Sequence, residues 1–422
     1  MNLVLLSDTG TVNGGAAKIA LDGARAMALA GHRVELVCGA GEPDAALRDI
    51  PGLRIHQISK FDILDDRNRL RAMTYGWWNP RSHRYVAELL DTLDPENTLV
   101  HVHSWTKALS SSPIRAAWER GFEIAVTIHD FLLACPTGTL FLQNTLEKCP
   151  HRPMSLECVK TNCDVRSYRH KLWRVGRRMI QDYVGGIPSK VRNFIVYSQL
   201  AEKVLRPHLP THAIFHFVPN AIDVEPCEPA PVAGQSVFVF LGRMTAEKGV
   251  ELFARAAAAE NVPCQFIGEG MARDSVLKAN PKAILTGWMN HRDGLRAVRQ
   301  SRALVFPSLW YETLGLVVLE AAGNGVPSIV PDDCAARESV EDGVTGLHFR
   351  SGDEADLRCK IALLRDPETA ARMGRAAYER FWEAPGHGMD LHRSRLESAY
   401  QRILASRNKS AVERMPQPLN AI

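Results

Sequence analysis

The opening of the chain alternates short apolar runs with an Ala-rich amphipathic stretch. Residues 2–6 form a compact apolar run. A loop of small residues follows (Thr9-Gly10-Thr11-Val12-Asn13-Gly14-Gly15), and residues 16–29 carry helical spacing that Gly31 ends. Residues 34–37 form a second apolar run. Runs this short, bounded by glycine, read as buried strands, so the order is strand, loop, helix, strand: a right-handed βαβ unit. The pattern recurs with runs at 99–103, 124–128 and 194–197. A second series begins after Pro219-Asn220-Ala221-Ile222-Asp223, with strands expected at 237–241, 264–267, 284–285, 304–306 and 328–330 and a helix at 250–259. Residues 226–235 carry three prolines and a glycine and read as a linker or loop. Alternating βα over this length predicts an α/β protein with two doubly wound, Rossmann-like domains. Their ligands belong outside the carboxyl ends of the strands, in the cleft where the domains face each other.

Composition narrows the classes without choosing one. The 422 residues are 45% apolar and 23% charged, enough for two or three ordinary cores, and a net charge of +4 sets up no field that would select nucleic acid. No run approaches the ~18 apolar residues of a membrane span, and the first residues lack the basic start of a secretory signal. A cytoplasmic protein is expected, with its nine cysteines mostly reduced.

Candidate chemistry gathers in the second half. A strand exit at Gly242-Arg243 is followed by Lys248-Gly249. Two more glycine-rich exits lie at Gly268-Glu269-Gly270 and Thr286-Gly287-Trp288. In the stretch from Phe306 to Ala321 a strand runs into a loop and then a helix starting near Gly315. Free amides at a helix N-terminus favour a phosphate, and Arg243 and Lys248 add full charges. Glu312, before the helix, and Glu320, in its second turn, would repel a phosphate. Each must therefore face something else, and sugar hydroxyls are natural partners for a carboxylate. There is no G-x-G-x-x-G, which counts against a dinucleotide enzyme, and no Asp-x-Asp to bridge a diphosphate through a metal.

In conjunction these residues resemble the retaining glycosyltransferases of family 4, also described as glycosyltransferase group 1. The similarity rests on the two glutamates with seven residues between them in the stretch from Pro307 to Pro327, and on Gly242-Arg243 with Lys248-Gly249. The Gly14-Gly15 loop, His129-Asp130 after a strand, and the Pro219 to Asp223 motif complete it in the right order. The resemblance spans roughly residues 1–405 and implies the GT-B fold. The implied plan is an acceptor-binding domain at 1–215, a nucleotide-sugar-binding domain at 216–385, a helix at 386–405 crossing back to the first domain, and a flexible tail at 406–422. It further implies that Arg243 and Lys248 hold the donor diphosphate, that Glu312 and His129 contact the transferred sugar, and that the amides of Leu314, Gly315 and Leu316 touch the β-phosphate. By the same resemblance Glu320 takes the ribose, Gly15 lets its loop approach the phosphates, and the base rests near Gly268 and Thr286. The implied activity is transfer of a hexose from a nucleotide-diphosphate donor, UDP favoured over GDP, to a hydroxyl of a lipid-linked or polysaccharide precursor with retention at the anomeric carbon. No catalytic metal is expected. A phosphorylase or epimerase of the same fold, and a catalytically silent sugar-nucleotide sensor, are the alternatives.

Two features stand apart within residues 131–192. Cys135, Cys149, Cys158 and Cys163 lie close together, open either to a structural zinc or to unligated or redox-active thiols; none forms a C-x-x-C pair. Then Tyr168, Leu172, Val175 and Met179 repeat at helical spacing, with Arg166, Arg169, Lys171, Arg174, Arg177 and Arg178 on the other faces. This reads either as a basic amphipathic helix on the inner membrane or as a solvated helix covering the sheet.

Overall fold

The computed structural model describes residues 1–12, 14–383 and 387–413. Its first half contains β1 (Asn2–Thr9), β2 (Arg33–Ala40), β3 (Leu53–Gln57), β4 (Thr98–Val102) and β5 (Glu123–Thr127). A small hairpin of β6 (Phe141–Leu142) and β7 (Glu147–Lys148) follows, then β8 (Asn193–Val196) and β9 (Ile214–Phe217). Seven of these make one parallel sheet in the order β3-β2-β1-β4-β5-β8-β9. The second half contains β10 (Phe238–Leu241), β11 (Cys264–Ile267), β12 (Ile284–Gly287), β13 (Ala303–Val305), β14 (Ser328–Pro331) and β15 (Gly346–Phe349). These form a second parallel sheet, ordered β12-β11-β10-β13-β14-β15. The central strands read as continuous apolar runs because both of their faces are covered. In β1, Leu3 and Leu5 enter one apolar cluster while Val4 and Leu6 enter the other.

Each sheet reverses direction once, between β1 and β4 and between β10 and β13. Those reversals are where open α/β sheets bind ligands. Asp8 and His103 stand at the first, Gly242 and Pro307 at the second.

Besides the short β6–β7 hairpin, three strands of the two parallel sheets escape the apolar-run criterion: β3, β9 and β15. All are sheet edges, where one flank is left to solvent and a continuous apolar run is not needed. The segment expected to be a linker or loop is irregular chain with one short turn of helix, and it is packed against the second domain. Ala230 and Val232 are buried in the core of the second half, and the Arg302 guanidinium donates to the carbonyls of Val232 at 3.0 Å and Gln235 at 2.8 Å. The final helix runs Met389–Glu413, through the first part of the expected tail. It lays Leu396, Ala399, Tyr400 and Ile403 into the apolar cluster of Leu3, Leu5 and Leu36. The rest of that tail, 414–422, and the boundary placed at 385/386 lie outside the described residues.

The basic helix, Tyr168–Tyr183, buries Val175 of its apolar set but turns two other apolar side chains outward and two of its cations inward. Leu172 and Met179 are 43% and 48% exposed, while Lys171 and Arg178 are 0% and 7% exposed. The cations are turned inward because the irregular 131–139 loop beneath them has carbonyls that no ladder satisfies. Arg178 donates to Leu132 O at 2.8 Å, Arg177 to Pro136 O at 3.3 Å and Arg174 to Thr137 O at 3.4 Å. Only Arg166 and Arg169, of the six cations expected on the other faces, are exposed; Arg174 and Arg177 are half-buried.

Candidate active site between the two sheets

The Gly15–Leu29 helix follows β1, and the Leu316–Gly323 helix follows β13 across the cleft. Their N-termini meet: a Cβ built on Gly15 would lie 3.5 Å from Leu316 Cδ1. Both begin with a glycine at the N-cap and neither has a side-chain cap, so unpaired amides from two helices point into one region. Such amides favour an anion. The cavity beside them, about 520 Å³, is lined by Gly15, Lys18, Asn220, Asp223, Leu316 and Glu320. Leu314 lines a different cavity of about 550 Å³ together with Tyr197 and Val318.

Glycine is required around this site for packing reasons that the sequence does not reveal. Gly249 has φ 65°, and a Cβ there would fall 1.9 Å from Pro307 O, joining the β10 exit to the β13 exit. A Cβ on Gly268 would fall 2.0 Å from Gly242 O. Gly315 is required for packing too: its Cβ would meet Ala336 Cβ at 2.7 Å.

Glu312 sits with φ 51°, in the left-handed region uncommon for a side-chain-bearing residue. Its Oε1 accepts Lys248 Nζ at 2.6 Å and Ser308 Oγ at 2.6 Å. Lys248 is also 5.2 Å from the ring centre of Trp310, whose indole N–H is buried without an acceptor. Arg243, the other expected phosphate ligand, is exposed and has no hydrogen bond or ion pair from its guanidinium among the described residues. Glu320 is not free: His291 Nε2 is 2.9 Å from its Oε1, and this hydrogen bond holds the imidazole above its ordinary range. Asp223 stands 4.0 Å from the other nitrogen of His291 and 3.3 Å from Lys18. Thr286 turns its hydroxyl inward to Phe266 O at 3.3 Å, and Gly268 N donates to Gly287 O at 2.8 Å, so these two strand exits are tied together.

His129 enters from the first sheet, just beyond β5. Its carbonyl accepts Thr313 Oγ1 at 3.3 Å, and its Nε2 is 3.2 Å from His103 Nδ1. Burial pushes the imidazole down to about 3 and pushes the neighbouring Asp130 carboxyl up to about 6. His101 is a buried packing residue, held between Tyr400 OH and Thr127 Oγ1, each at 2.6 Å. Asp8 is buried at the β1 exit, where its carboxylate accepts the amides of Lys107, Ala108 and Leu109.

Two observations weigh against the zinc reading of the cysteine cluster. Among the described residues no set of three or more His, Cys, Asp or Glu side chains is arranged to hold a metal ion. The buried Lys171 ammonium stands 3.2 Å from Cys163 Sγ and 3.6 Å from Cys158 Sγ, placing a positive charge where the zinc reading requires a cation. All four thiols are free.

The structure therefore brings Gly15, Leu316, Glu320, Glu312, Lys248 and His129 to one cleft. Ser308 and His291 were not singled out from sequence. Ser308 lay inside the motif unmarked, and His291 is one polar residue on an exposed helix, with nothing in its spacing to mark it.

Comparison with known proteins agrees with this geometry. The chain matches the family described as Glycosyltransferase Family 4 over residues 13–226 and the family described as Glycosyl transferases group 1 over residues 226–380. It is similar to alpha-D-kanosaminyltransferase of Streptomyces kanamyceticus, 34% identical over 155 residues. That alignment covers 33% of this chain and only 39% of the relative's length. In fold it resembles sucrose-phosphate synthase from Thermosynechococcus elongatus (TM-score 0.70, 17% identity, 96% of this chain and 99% of that one). It also resembles Anabaena HepE in complex with UDP and glucose (TM-score 0.63, 15% identity, 94% and 99%). No helix among the described residues is long and apolar enough to cross a membrane. Two parallel α/β sheets facing a cleft, and family matches that together run from residue 13 to 380, lead to one assignment: the chain belongs to the group 1, family 4 glycosyltransferases and has the GT-B fold.

Proposed function

We propose that the chain transfers a hexose from a nucleoside-diphosphate donor, UDP favoured over GDP, to a hydroxyl of a lipid-linked or polysaccharide precursor, with retention at the anomeric carbon. The observation that carries this reading is the meeting of two uncapped helix N-termini, at Gly15 and Leu316, beside the unpaired Arg243 and the Lys248–Glu312 pair. The amides and Arg243 suit a diphosphate. Glu312, already neutralised by Lys248, suits the hydroxyls of a sugar. Glu320 with His291 suits the ribose, and the exits at Gly268 and Thr286 suit the base. The UDP and glucose in the Anabaena structure support UDP as the nucleotide. The outward-facing Leu172 and Met179 favour a lipid-linked acceptor.

In this reading the bond from the sugar's anomeric carbon to the β-phosphate oxygen breaks as negative charge grows on the leaving diphosphate. Arg243, Lys248 and the helix amides meet that charge, and preorganised donors of this kind each contribute about 3–4 kcal/mol. The leaving phosphate takes the proton of the acceptor hydroxyl, whose oxygen bonds to the same face of the sugar. His129, neutral because its pKa is depressed, positions the sugar rather than serving as a cation.

A thermal-shift panel of UDP, GDP, ADP and their sugar conjugates tests the donor, since a bound nucleotide raises the melting temperature. UDP compounds should give the largest shift. Proton NMR of the product then tests the stereochemistry; an inverted anomeric centre would remove the proposed mechanism.

A further inference from the structure

Glu312 is held by two domains at once. Its carboxylate is bound by its own domain, through Lys248 and Ser308. Both of its chain neighbours are bound by the other. Thr313 O accepts Ser198 Oγ at 2.9 Å, and Thr313 Oγ1 donates to His129 O at 3.3 Å. Tyr311 packs against the apolar cluster of the first sheet, edge to face with Phe131 at 6.0 Å. Over the Tyr311 ring, 4.6 Å from its centre, lies the ammonium of Lys148, the last residue of the β6–β7 hairpin. That ammonium also donates to Asp333 O at 3.0 Å and pairs with the Asp333 carboxylate. Asp333 is two residues from Ala335, whose N–H donates to Tyr311 O at 3.0 Å. One cation thus closes on the ring, the carbonyl and the carboxylate that frame the Glu312 turn.

A left-handed conformation at a glutamate persists only where its surroundings over-determine it. Here those surroundings include the first domain's hairpin. We infer that Lys148 is a positioning residue for Glu312: by docking on Tyr311 and Asp333 it makes the turn that presents the Glu312 carboxylate depend on closure of the two domains. The inference rests on the reading of Glu312 as the sugar-binding carboxylate. It adds that this carboxylate is set in place by a residue of the opposite domain that touches neither donor nor acceptor. The cation over an aromatic face and the ion pair both require the positive charge, while the aliphatic stem of Lys148 supplies only packing. Replacing Lys148 by methionine therefore separates the two contributions, and arginine restores the charge.

The test uses the full chain with Lys148→Met and Lys148→Arg. Hydrogen exchange read by mass spectrometry needs no ligand. The amides of residues 309–316 should exchange at least about tenfold faster in Lys148→Met, with core strands β10 and β13 unchanged, and Lys148→Arg should recover most of the protection. With the sugar nucleotide that gives the largest thermal shift, Lys148→Met should lower kcat about tenfold while donor KM moves less than about threefold. Unchanged exchange at 309–316 in Lys148→Met overturns the inference, and so does an unchanged kcat. Glu312→Gln is run beside them. If it transfers sugar like the wild type, the reading of Glu312 fails, whereas the exchange experiment still decides whether Lys148 holds the turn.

Discussion

Lys248 Nζ and Glu312 Oε1 stand 2.6 Å apart, and the same oxygen accepts the Ser308 hydroxyl. On the proposed reading Lys248 does two things at once: it meets the charge of the diphosphate and neutralises the Glu312 carboxylate that would otherwise repel it. Lys248→Ala removes both effects. Transfer should fall about a hundred- to a thousandfold, in the range expected when a preorganised charge is removed from a transition state. Transfer by Lys248→Ala at the wild-type rate would dispose of the phosphate assignment.

Glu320, which lines the cavity beside Gly15 and Leu316, pairs with His291. Glu320→Gln should raise donor KM about tenfold and leave kcat within about threefold, the pattern of a ground-state binding group. The pair also makes a statement about pH. His291 has its folded pKa raised above the ordinary 6.5 by the Glu320 hydrogen bond. Its contribution to stability is therefore complete below that value and fades as pH rises through the folded one. The gap between the denaturation midpoints of wild type and Glu320→Gln should narrow from about pH 6 to about pH 8; a constant gap would mean the imidazole is not coupled to the carboxylate.

His129 and Asp130 are adjacent and are shifted in opposite directions by the same cause. Burial lowers His129 to about 3 and raises Asp130 to about 6. His129 thus stays neutral above about pH 5, so the pH–rate profile should show no break from its protonation between about pH 5 and 9. Asp130 carries a raised folded pKa, so the folded protein loses stability as pH climbs from the unfolded value, 3.8, through about 6. Asp130→Asn keeps an oxygen for the Leu132 amide. It should raise the urea midpoint at about pH 7 and leave it nearly unchanged at about pH 4.

Gly315 faces Ala336 with no room for a methyl group. Gly315→Ala should cost about 1–3 kcal/mol, the range for overpacking. Adding Ala336→Gly should recover most of it, which makes the pair a double-mutant cycle for the contact. Failure of the second change to rescue the first would return Gly315 to the role expected from sequence, a backbone position reserved for the ligand.

The basic helix gives an ordering that composition alone would reverse. Leu172→Glu and Met179→Lys alter exposed positions and should each shift stability by no more than about 0.5 kcal/mol. Arg178→Met strips a donor from the buried Leu132 carbonyl and should cost about 1–3 kcal/mol. Chemical denaturation of the three variants decides it.

What was legible in the sequence follows from which forces leave a local trace. The central strands are written as continuous apolar runs because both faces are covered, so β1, β4, β5, β10 and β11 could be located closely. The edge strands β3, β9 and β15 could not, since one side of each faces solvent. Glu312, Lys248 and His129 were legible through local motifs: a strand exit, a glycine, a charge at a short fixed offset. Their partners were not. Ser308 and His291 are chosen by three-dimensional approach, and Lys148 reaches Asp333 across 185 positions of chain. Lys171 and Arg178 looked like solvent charges because a helical wheel shows the faces without saying which one turns inward. That choice was made by the unpaired carbonyls of the 131–139 loop, whose demand no periodicity records.

The Tyr400 hydroxyl seated on His101 has a consequence for how the chain comes to be folded. Leu3, Leu36, Leu99 and Ile195 lie under Leu396, Ala399, Tyr400 and Ile403. During synthesis the first sheet is made early, yet one of its faces cannot be completed until the last helix has emerged. For the time it takes to make the whole second domain, that face is open apolar surface of the kind chaperones hold and aggregates recruit. Once the helix docks, Leu3 and Leu5 share one core with Leu396 and Tyr400, residues separated by the whole second domain.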